Sequence, residues 1–423
     1  MKSLICLAVA ASLAQDALPV GELKQRMGNY FNAYVKDLEV LTNIDSGSGD
    51  VKGSKAVTDL LAAQLTASGG QVERLTNDKG THLIVRFKGQ GKKKLLLMAH
   101  TDTVFVAGDA AKRPFRVDAQ QHAWGPGVGD DKATCLQLVY AMKLMKELNY
   151  KGYGELVLYF DAEEETGSDF GEQIITRLAK QADACLVMDT ARPNWGIVAQ
   201  RKGYATYQID VKGISGHAGN APHHSASATM ELGHVITALY KLASPLPGDP
   251  HRFTEEALAK RHVPDRGQFI PANSINVGVV STPNTKRNVI PDAASAVVEI
   301  RCFELAELKR LDKAIRAIKP KVQGTSISVK GQIVVGPEQK TPKVQQLIDT
   351  YKRVVKQAYG ATVTEWLAGG ISDGNVAAQY TPTIDALGVE EHDEHTAREW
   401  VDLTTVTPRT VSLVKFVQAV CER

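Results

Sequence analysis

Carboxylates and histidines gather at a few points of this chain, three of them just behind an apolar run. His100 and Asp102 follow residues 94–99. At a spacing of two, both side chains of an extended segment face one way, and an imidazole with a carboxylate suits zinc, cobalt or manganese. Alone, the pair is equally well explained as a loop histidine beside a capping aspartate. Asp130 and Asp131 follow Gly125, Gly127 and Gly129, whose missing side chains permit close backbone approach; there the acids also suit a helix start. Glu163, Glu164 and Glu165 follow the run 156–160. Their mutual repulsion calls for a cation or a shared proton. Hydrolysis at a metal uses both services, one carboxylate holding the ion while its neighbour takes a proton from water. Asp189 follows the run 184–188, and residues 390–399 add Glu390, Glu391, His392, Asp393, Glu394, His395 and Glu399. His392 and His395 compete there as ligands. This convergence supplies enough N and O donors for two metals sharing one carboxylate.

These donors need a scaffold, and the patterning describes one. Apolar spacing predicts helices over 21–45, 54–65, 132–148, 170–180, 226–242, 304–318, 342–359 and 408–421. Continuous apolar runs predict buried strands over 94–99, 156–160 and 184–188, with further strands over 81–87, 204–211, 275–279, 296–303 and 383–387. Alternating strands and helices imply an α/β fold, a large catalytic domain with a mostly parallel central sheet flanked by helices. Near Gly203 the pattern changes to a smaller α+β module. The expected division is 15–203 and 319–423 for the catalytic domain and 204–318 for the inserted one. Dividing 423 residues by about 150 per domain gives a starting figure of about 2.8 domains, which this division lowers to two.

Residues 1–14 stand apart. Lys2, the apolar run 4–13 and small residues at Ser12 and Ala14 read as a signal peptide, so the expected destination is the periplasm or the extracellular space. The run is too short to span a bilayer, which takes about 20 apolar residues, and no stable membrane association is expected. Fifty basic against 47 acidic side chains leave a net charge of +3, without the basic excess of a nucleic-acid binder. Cys135, Cys185, Cys302 and Cys421 sit in apolar segments and read as buried thiols at least as readily as bridges.

The motifs together resemble the two-zinc metallopeptidase family that holds glutamate carboxypeptidase of the G type, aminoacylase, acetylornithine deacetylase and succinyl-diaminopimelate desuccinylase. They are His100-Thr101-Asp102-Thr103-Val104, Gly127 to Lys132, Glu164 to Ser168, Asp189, Gly216-His217-Ala218-Gly219, Asn273 to Gly278, Gly369 to Asp373 and His395 to Glu399, in the family's order over nearly the whole chain. The resemblance implies two divalent metals, zinc with cobalt or manganese as alternatives. Asp130 would bridge them, His100 and Asp189 completing one site and Glu165 and His395 the other. Glu164 would be the general base, and Asp102 would fix the tautomer of His100. The family's His followed four residues on by Glu favours His395 over His392. The inserted module would be a lid or dimerisation domain, with His217 stabilising the oxyanion and Asn273, Gly370 and Arg287 binding substrate. Arg201 and Arg301 are rival arginines for that last task. The expected activity is an exported carboxypeptidase-type exopeptidase acting on a small peptide or N-acyl amino acid, with a deacylase, an aminopeptidase or dipeptidase, or a non-enzymatic binding protein as alternatives. Two positions depart from the common pattern: Ala133 stands where many members have Gly, and Glu163 where Asp is commoner.

Overall fold

The computed structural model describes residues 18–242 and 273–422; the expected signal segment lies outside them. The described residues fall into two units, one within 18–197, 341–365 and 380–422, the other within 198–242, 273–340 and 366–379.

The catalytic unit is built on a six-stranded sheet in the order Gln71–Thr76, Thr81–Lys88, Glu155–Asp161, Lys94–His100, Ala184–Val187, Thr383–Ile384. Lys94–His100 runs parallel to both of its neighbours, and Thr383–Ile384 runs parallel to Ala184–Val187. Thr81–Lys88 is antiparallel to both of its own. Strands buried on both faces read as unbroken apolar runs, and Leu95, Leu96, Leu97, Leu156, Leu158, Cys185 and Leu186 are fully buried. In register, His100 pairs with Asp161 and Met98 with Val187, so three parallel strands end together and deliver their following loops to one edge, where open α/β sheets keep their sites. Helix Thr134–Glu147 is apolar almost all round and correspondingly buried, against Val20–Thr42, Val51–Ala67 and Val406–Cys421.

A second sheet brings the two ends of this unit together. Its order is Glu391–His392, Trp400–Asp402, His122–Trp124, Arg116–Val117. The first two strands form an antiparallel pair that carries His395 in its connection, and His122–Trp124 leads into the glycines before Asp130.

The inserted unit is an antiparallel sheet in the order Asn273–Ser281, Ala293–Cys302, Gly203–Lys212, Ser326–Val335, with helices Ala228–Leu242 and Leu305–Arg316 contributing Leu232, Val235, Leu239, Leu308, Leu311 and Ile315 to its core. This corrects the expected boundary at 318. Strand Ser326–Val335 pairs along Gly203–Lys212, so residues 319–340 belong to the inserted unit, as do residues 366–379. The strand alternates polar and apolar residues at a half-exposed edge, a weak signal. Polar Gln71–Thr76 escapes for the same reason. Among the described residues the cysteines are free thiols, and no helix is long and apolar enough to cross a membrane.

Candidate metal centre

The loops at the sheet edge place donors in two groups. His100, Asp130 and Asp189 each bring one ligand atom within 4.8 Å of the others, and so do Asp130, Glu165 and His395. Asp130 belongs to both. His100 Nε2 lies 2.9 Å from Asp130 Oδ1, and His395 Nε2 lies 3.0 Å from Asp130 Oδ2 and 3.2 Å from Glu165 Oε2. His392 is committed elsewhere: its ring stacks on Trp400 at 4.1 Å and its Nε2 pairs with Glu390 at 3.3 Å.

Each donor is held by its own surroundings. His100 Nδ1 approaches the Asp102 carbonyl at 3.1 Å and the Asp102 carboxylate at 3.4 Å, leaving Nε2 for a ligand role. The same Asp102 carboxylate accepts from the backbone N–H of Glu164 and Glu165 and from the hydroxyl of Ser48, at 3.1, 3.2 and 2.6 Å. Asp102 therefore orients one donor and anchors the loop that bears two more carboxylates. Glu399, buried, accepts from the N–H groups of Gly127, Gly129 and Asp130 at 2.9, 2.9 and 3.1 Å. Gly127 has φ of 67°, and a Cβ at Gly129 would lie 2.1 Å from Glu391 Cγ, so both glycines serve this turn. Lys132 Nζ donates to the Ile44 and Pro126 carbonyls, and burial lowers its pKa to about 8.

The electrostatics are those of a cation site. Burial pushes Asp130 upward, but hydrogen bonds from His100 and His395 outweigh it and hold the carboxyl below its ordinary value. His395 is raised to about 11 by its bonds to Asp130 and Glu165. Burial raises Glu164 and Glu391 well above the carboxylate range and Glu399 to about 7. Glu165 Oε1 is buried without a hydrogen-bond partner. An orphan carboxylate oxygen among N and O donors fits a divalent ion.

A third group, His82, Asp161 and Glu163, is tied into the backbone of its own loop. Asp161 Oδ1 accepts from Ala162 and Glu163 N–H at 2.6 and 2.9 Å. Glu163 Oε1 accepts from Phe170 and Gly171 N–H at 2.5 and 2.7 Å, and its Oε2 from Asn77. Those N–H groups already supply the positive end a cation would. This knot closes the loop carrying Glu164 and Glu165 instead. The extra methylene that sets Glu163 apart from aspartate was its only sequence signal. Ser48 and His82 had none.

In the inserted unit, His217 Nδ1 accepts from the N–H groups of Gly219 and Asn220 at 3.1 and 3.2 Å. This places the ring proton on Nε2, a donor facing outward. Asn273 is buried and its amide nitrogen donates to Glu307 at 2.8 Å. Arg301 pairs with Glu299 and donates to the Gly369 carbonyl, Arg201 is buried, and Arg287 is exposed. Gly370 has open space where a side chain would stand.

Residues 96–419 match the model of peptidase family M20/M25/M40. Carboxypeptidase G2 of Pseudomonas sp. (strain RS-16) is 27% identical, the match covering 97% of this chain and 96% of that enzyme. Succinyl-diaminopimelate desuccinylase of Paracoccus denitrificans is 26% identical over 86% of this chain and 92% of that one. The crystal structure of aminopeptidase PepT from Bacillus cereus superposes with a TM-score of 0.73 at 20% identity, covering 94% of this chain and 98% of that chain. With two donor sets sharing one aspartate inside that matched span, the chain belongs to the M20/M25/M40 peptidase family and is a metal-dependent hydrolase of peptide or amide bonds.

Proposed function

We propose that this protein is an exported di-zinc exopeptidase of the carboxypeptidase type, cutting the amide that precedes a free carboxylate. The sharing of Asp130 between two donor sets carries the two-metal part of the reading. The likeness to carboxypeptidase G2 over nearly the full length of both chains supports the carboxypeptidase part. His100, Asp130 and Asp189 would hold one ion and Asp130, Glu165 and His395 the other. The bound pair would supply Lewis acidity, activating the attacking water and polarising the scissile carbonyl. Glu164 takes the proton from that water on its carboxylate and returns it to the leaving amine. Its backbone N–H, held by Asp102, keeps the carboxylate oriented while the proton moves. By the family resemblance His217 would be the oxyanion donor through Nε2–H; its Nδ1 is occupied as an acceptor.

Glu164→Gln keeps the charge-neutral shape of the acid and removes the base. It is expected to bind two ions per chain by metal analysis while kcat falls by at least about 100-fold. Normal turnover by a fully loaded variant would sink the mechanism. A screen of C-terminal glutamate conjugates, N-acyl amino acids and free dipeptides decides the substrate class, cleavage of the conjugates being the expected result. Succinyl-diaminopimelate desuccinylase among the relatives favours N-acyl amino acids as the second reading. The export part of the reading is supported by Lys2, the run 4–13 and Ser12 to Ala14, and predicts a mature N-terminus near residue 15 by N-terminal sequencing. A homodimer through the inserted unit is supported by its edge strand Asn273–Ser281, where Val279 and Val280 are exposed. Val279→Lys is expected to shift the sedimentation coefficient to that of a monomer.

A further inference from the structure

Beside the metal donors the catalytic unit carries a built groove. Residues 47–50 and 103–107 line about 650 Å³, together with Glu165 and Thr166. The walls are fixed to one another. Ser48 N–H donates to the Thr103 carbonyl and Thr103 N–H to that of Ser46, at 3.2 and 3.1 Å, and Asp45 holds the N–H groups of Gly108 and Ala110 at 2.8 and 2.9 Å. At Gly47 a Cβ would lie 2.1 Å from the Phe105 carbonyl oxygen, so the two segments touch backbone to backbone. The groove therefore exists before any ligand arrives.

Its lining is unusual for solvent-facing surface. Val104 is 42% exposed and Val106 65%, and they stand beside Glu165, a donor of the metal centre. The ionisable side chains of the lining are Asp50 and Glu165, both acids, with no Lys, Arg or His among them.

We propose that this groove is the subsite for an apolar group on the carbonyl side of the scissile amide, a side chain or an acyl chain. This rests on the amide-hydrolase reading with a free carboxylate on the leaving part. Contact with Glu165 puts the groove next to the reacting carbonyl. The lining offers no cation to a carboxylate, and Asp50, which lies outside both donor sets, repels the substrate's own, so the occupant comes from the other side of the bond. Burying that apolar group covers Val104 and Val106, the gain being the area both surfaces remove from water.

The test uses N-acetyl-, N-butyryl- and N-hexanoyl-glutamate. kcat/KM is measured with the metal-loaded enzyme, and binding to Glu164→Gln protein by calorimetry. Both should rise about twofold per added methylene, half on a logarithmic scale of the full-burial effect, because the groove is open on one side. Val104→Ser/Val106→Ser should flatten that rise, bringing the acetyl, butyryl and hexanoyl members to within about twofold of one another, and leave Tm unchanged, since both positions are exposed. An undiminished rise in the double variant overturns the assignment. So does a flat series in the parent, or a preference for free Ala-Glu over every acylated member. Binding that grows with chain length while no member is cleaved upholds the groove and removes the carboxypeptidase reading. Cleavage with a flat series does the opposite.

Discussion

Glu163 and Glu399 explain why the reacting carboxylates stay put. Neither offers its oxygens to an ion, because backbone N–H groups occupy them. Glu163→Ala leaves Phe170 and Gly171 N–H without their acceptor, at about 1–3 kcal/mol for such groups left unpaired. The loop of Glu164 and Glu165 then loosens, and kcat is expected to fall about 10- to 100-fold with KM nearly unchanged. Glu399→Gln acts on the other ligand loop and should weaken metal affinity by about 10- to 100-fold, the usual effect of losing a supporting partner, read by competition with a chromogenic chelator. His100, Glu165 and Asp189 were legible because each stands close behind an apolar run, whereas Asp130 and His395 rested on the resemblance of their motifs. Their supports were not. His82 is one polar residue within a buried strand, and Ser48 reaches Asp102 from 54 positions away. Spacing along a chain says nothing of such encounters.

At the scale of elements, the parallel strands could be read from the sequence because burial on both faces forces unbroken apolar runs. The edge strands Gln71–Thr76 and Ser326–Val335 could not, since one neighbour and a wet face leave the first mostly polar and the second only half apolar. The turn that leads into Ser326–Val335 is secured from helix Ala228–Leu242. Glu231 accepts from the N–H groups of Lys321 and Val322 and from the Thr325 hydroxyl. Burial pushes its carboxyl up, and these donors outweigh it, leaving the pKa below its ordinary value. A lowered folded-state pKa gives stability that is complete above the unfolded value and lost as pH falls through the folded one. Glu231→Gln is therefore expected to lower the melting temperature of the inserted unit by on the order of 5 °C at neutral pH. The gap should close below the carboxylate range, as followed by circular dichroism. A gap that persists unchanged in acid would show the carboxylate charge to be irrelevant.

For the whole molecule, a net charge of +3 conceals a catalytic unit in which acids crowd one edge of a sheet. Both donor sets lie in that unit. Calorimetric unfolding should show a transition that chelator shifts down and another, belonging to the inserted unit, that it leaves alone. Metal at about 100 times its dissociation constant stabilises the loaded unit by about 2.7 kcal/mol. Parallel shifts of both transitions would contradict this. The Glu399 clamp has one more consequence. It joins Glu399 to Gly127 across 272 positions, and His395 lies beside it near the end of the chain. A ribosome that has made nine-tenths of this protein has not yet made a place for its metal. Ion capture is therefore a post-translational event. Metal supply in the compartment where the chain folds would set the fraction of active enzyme.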